Sequence, residues 1–177
     1  IISHVSGVLQ KLHETRAHGA LSLERVLLTS QSKVKVDNPI FSELGNDREL
    51  CATMPELAAC LAPELGPGDA SVAGDLYALA MMTVMLMSST PLTDSPRAVE
   101  VAGGIGRGFK ALISETLSAS PESRPDSVVI FRDRLRDVID GEPEPVDLPD
   151  KEPASAELSA SSPGVPPTLP AENSHPD

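Results

Sequence analysis

Apolar residues recur at helical spacing in four stretches of the chain. Ile1, Ile2, Val5, Val8, Leu9 and Leu12 predict an amphipathic helix over residues 1–15. Residues 73–88 are apolar nearly all round and predict a buried helix. Phe109, Leu112, Ile113 and Leu117 predict another helix, ended near Pro121. Pro125-Asp126 opens a last one, with Val128, Val129, Phe131, Leu135, Val138 and Ile139 on its apolar side. On that helix Arg132, Asp133, Arg134, Arg136 and Asp137 are expected in solvent. Two β-prone runs, 26–28 and 34–36, flank the turn Ser30-Gln31-Ser32-Lys33 and predict a small hairpin. Residues 38–54 lack periodicity and read as an irregular loop, followed by a short helix over Pro55–Leu61 and a turn at Gly66-Pro67-Gly68. Pro91 and Pro96 read as breaks. The glycine-rich run Gly103–Gly108 reads as a flexible connection, since no strand precedes it to make a phosphate loop.

The pattern stops at Gly141. Residues 141–177 are rich in Pro, Glu, Ser and Ala, cannot bury enough surface to offset their ordering entropy, and are expected to be disordered. Two P-x-x-P segments, Pro163–Pro166 and Pro167–Pro170, suit a spacer first and a docking motif second. This tail holds eight acids and Lys151, a balance of −7 out of the formal −12, which leaves −5 for residues 1–140. No basic footprint for nucleic acid results. The domain reading is therefore 1–140 folded and 141–177 tail. The sequence begins at Ile1 and reads as a fragment or processed piece.

Phe41, Tyr77, Phe109 and Phe131 are the full aromatic set, so the core rests on aliphatic side chains and Met. Met81, Met82, Met85 and Met87 fall on one helix, where packing is the first role and adaptable partner binding the second. Cys51 and Cys60 have no metal-ligand spacing and suit a reduced, cytoplasmic protein. The apolar run from Leu76 to Met87 is too short to span a bilayer.

The candidate chemistry lies in residues 18–28, His-Gly-Ala-Leu-Ser-Leu-Glu-Arg-Val-Leu-Leu. This stretch resembles the catalytic loop of the protein kinase family, His-Arg-Asp-Leu-Lys-Pro-Glu-Asn-Ile-Leu-Leu. Three more blocks follow in the family's order. Ala62-Pro63-Glu64 is similar to the end of the activation segment, Gly74–Ala80 to the start of the large central helix, and Ser120–Pro125 to the segment before the last helix. The resemblance covers residues 1 to about 140 and concerns the C-terminal lobe alone. It implies a mainly α fold, a kinase-like helical C-lobe with one small β-hairpin followed by the disordered tail.

The same resemblance implies lost catalysis. Ala20 stands at the position of the base that accepts the hydroxyl proton, and Arg25 at that of a metal-binding Asn. Removing a positioned base costs about 10²–10⁴ in rate. The Asp-Phe-Gly position becomes Asn38-Pro39-Ile40, or begins at Asp37 if the frame shifts by one, so any metal contact would fall to Asp37 or Asn38. The 177 residues hold no glycine-rich phosphate loop with its strand Lys. No catalytic, cofactor-binding or metal residue is therefore assigned.

The residues implied as architectural are His18, Glu64, Asp75 and Arg124. Glu64 is implied to pair with Arg124, and Asp75 to accept from the backbone near His18 and Gly19. Without the resemblance, Asp75 reads as an acid that the helix dipole favours. His4 and His13 share no obvious site. The expected function is a pseudokinase scaffold with a protein partner, no nucleic acid, no membrane span within these residues and no cofactor. Its expected binding surface is residues 38–61 and the helix region after Pro91. The alternative is a divergent Ser/Thr kinase, using ATP and magnesium, whose nucleotide-binding lobe lies upstream.

Overall fold

The computed structural model describes residues 1–31, 33–37, 55–66 and 68–141. The expected loop at 38–54, including Asn38, and the expected tail from residue 142 lie outside the described residues. Six helices and one two-stranded antiparallel sheet make up the described fold: α1 (Ile2–Leu12), β1 (Val26–Leu28), β2 (Val34–Val36), α2 (Pro55–Cys60), α3 (Val72–Ser88), α4 (Ser95–Ile105), α5 (Arg107–Thr116) and α6 (Val128–Asp140).

Helix α3 is the axis of the core. Every residue from Gly74 to Met85 is buried, as a stretch apolar nearly all round requires. Ser71 starts it, its hydroxyl accepting from Gly74 N–H at 2.9 Å. Leu65 packs so closely that a Cβ on Gly74 would lie 2.6 Å from Leu65 Cδ1. Around α3, Val5 and Leu9 of α1, Leu57 of α2, Phe109, Leu112 and Ile113 of α5, and Phe131 of α6 are buried at 2 % exposure or less. Aliphatic burial of this kind stabilises by about 1.5–3 kcal/mol per large side chain.

The hairpin pairs Val26 with Val36, Leu27 with Lys35 and Leu28 with Val34. Its turn closes through Thr29, whose N–H donates to Lys33 C=O at 2.9 Å and whose hydroxyl accepts from Lys33 N–H.

Three expectations need correction. The segment after Pro91 is not a break followed by a flexible glycine run: Ser95–Ile105 is helix α4. Asp94 caps it, accepting from Arg97 N–H at 2.9 Å, and Pro96 sits in the first turn, where a missing N–H costs nothing. Gly103 and Gly104 lie in its last turn, and Gly106 joins it to α5. Second, α6 begins at Val128, because the Ser127 hydroxyl accepts from Ile130 N–H. Third, the polar face of α6 is not all bare. Arg134 makes a two-pronged ion pair with Glu115 of α5 at 2.5 and 2.6 Å, and this bond holds the Glu115 carboxyl below its ordinary range.

Candidate functional site

The loop from His18 to Ser22 runs between α1 and a 3₁₀ turn, Leu23–Arg25, that leads into β1. It is a buried loop: His18, Ala20, Leu21 and Ser22 are each 1 % exposed. Buried backbone amides need partners. Asp75, one turn into α3 and itself 1 % exposed, supplies them. Its Oδ2 accepts from His18 N–H at 2.6 Å and its Oδ1 from Gly19 N–H at 2.8 Å.

His13 completes this carboxylate. Its Nε2 lies 2.9 Å from Asp75 Oδ2, just past the end of α1. The sequence reading left His13 without a site. Two backbone amides do not fill the acceptor capacity of a buried Asp, and the His13 ring takes up part of what is left.

The ring of His18 is also fixed. Nε2 lies 3.0 Å from Asp37 C=O, and Nδ1 lies 3.4 Å from Ala20 N–H. The Nε2–H tautomer serves both contacts. The ring thereby ties the loop to the end of β2, since Asp37 N–H donates in turn to Arg25 C=O at 2.8 Å. Gly19 adopts φ 79°, the left-handed region. Gly19→Ala should destabilise the chain by about 1–2 kcal/mol, measured by urea unfolding. A change under about 0.3 kcal/mol would show that the loop relaxes freely.

At its centre the loop buries an apolar side chain. Ala20 is a buried methyl, and Arg25 is half-buried. Asp37 is exposed, with its carbonyl turned to His18. No group of three His, Cys, Asp or Glu able to hold a metal occurs among the described residues. Beside the loop lies a hollow of about 430 Å³, with Val8, Leu12 and Val36 as its apolar wall and Lys11, His18 and Asp37 as polar lining.

The second constellation joins the segment after α2, the start of α3 and the segment after α5. Arg124 and Glu64 form a fork-to-fork pair, both contacts 2.7 Å, with the Arg124 side chain fully buried. Three further bonds seat the guanidinium: Nη1 donates to Ala73 C=O, and Nε and Nη2 both donate to Ser118 C=O. Its carbon lies 5.2 Å from the Tyr77 ring centre. Burial pushes the Tyr77 phenol up, against a hydrogen bond with Ser95 and the Arg124 charge, which pull it down. One guanidinium thus binds α3 and two loops together.

This arrangement is a kinase-like helical lobe: a central buried helix, a loop hung from its first acid, a hairpin beyond the loop, and a buried Arg–Glu tie. No family profile and no curated protein matches the chain. Among solved structures it is similar to a kinase fragment described as PpkA-294 in its apo form. The TM-score is 0.55 and the identity 17 %, over 76 % of this chain and 52 % of that one. The likeness is one of fold, and the chain spans about half the length of that relative. No described helix is long and apolar enough to cross a membrane.

Proposed function

We propose that the chain is a catalytically inactive, kinase-like lobe that works in the cytoplasm as a regulatory or protein-interaction scaffold. The observation that carries this reading is the contrast within one loop. The buried backbone is tied by Asp75, while the position of the base is the closed methyl of Ala20. A group that takes a proton from a substrate hydroxyl must reach it. Ala20 has no acceptor and no opening, and Arg25 sets a fixed positive charge where a cation would bind.

One observation favours a second reading, a divergent Ser/Thr kinase. Asp37 is an exposed carboxylate at the end of β2, beside the loop. In that reading it would hold magnesium with ATP bound by an upstream lobe. A thermal-shift titration of the protein with magnesium and ATP separates the two. The scaffold reading predicts no shift at millimolar ATP. A ligand at 100 times its Kd would stabilise by about 2.7 kcal/mol, and a magnesium-dependent rise that Asp37→Ala removes would favour the kinase.

A further inference from the structure

We draw no further inference here: the strongest candidate, the hollow of about 430 Å³ walled by α1 and the end of β2, belongs to the site already described, and nothing in the structure shows what covers it.

Discussion

Glu64→Ala should lower the unfolding free energy by about 3–5 kcal/mol, the range for removing one partner of a buried ion pair. The reason is the asymmetry of the pair. The Arg124 side chain is fully buried and cannot shed its proton, whereas Glu64 keeps 22 % of its side-chain surface in water. Loss of Glu64 strands a positive charge whose remaining acceptors are the Ala73 and Ser118 carbonyls. For a fold of this size the melting point should fall by roughly 10–20 °C. Arg124→Met should cost less, because the freed carboxylate can turn to solvent and a flexible apolar chain fills part of the space. Urea unfolding of both variants checks the order. Equal losses, or a smaller loss for Glu64→Ala, would show that the pair's value lies in packing and not in compensated charge.

Asp75→Asn is the second large effect. Asp75 accepts from His18 N–H, Gly19 N–H and the His13 ring, all inside the fold. An Asn keeps the shape but turns one acceptor into a donor that faces donors, and it removes the charge that shortens these bonds. We expect a loss of about 3 kcal/mol. The local readout is more specific: hydrogen exchange at the His18 and Gly19 amides should speed up far more than at α5. A uniform change across the chain would mean that Asp75 acts on global stability alone, as an acid in a first helical turn.

The parts of the fold that show in the sequence are those whose cause is local. Helix α3 shows because a helix buried on every side is apolar on every side. The hairpin shows because two β-prone runs flank a short polar turn. The bounds of helix α4 do not show, because Pro96 and Gly103–Gly104 read as breakers, although Pro in a first turn behind a capping Asp94 is a start signal. The site divides in the same way. Asp75 and the Glu64–Arg124 tie follow from matched motifs, and the geometry places each beside the partner the resemblance implied. His13 lies 62 positions from Asp75 in the chain, and no periodicity or spacing links two residues that only the fold brings together.

On the proposed reading the loop at 18–25 holds structure and takes no part in phosphoryl transfer. The direct measurement is transfer of labelled phosphate from ATP, with magnesium, by the protein to itself and to a generic Ser/Thr substrate. No transfer above a blank without protein is expected, and the same blank level for Asp37→Ala. Transfer above the blank that Asp37→Ala abolishes, in a variant that still melts like the parent, would contradict it.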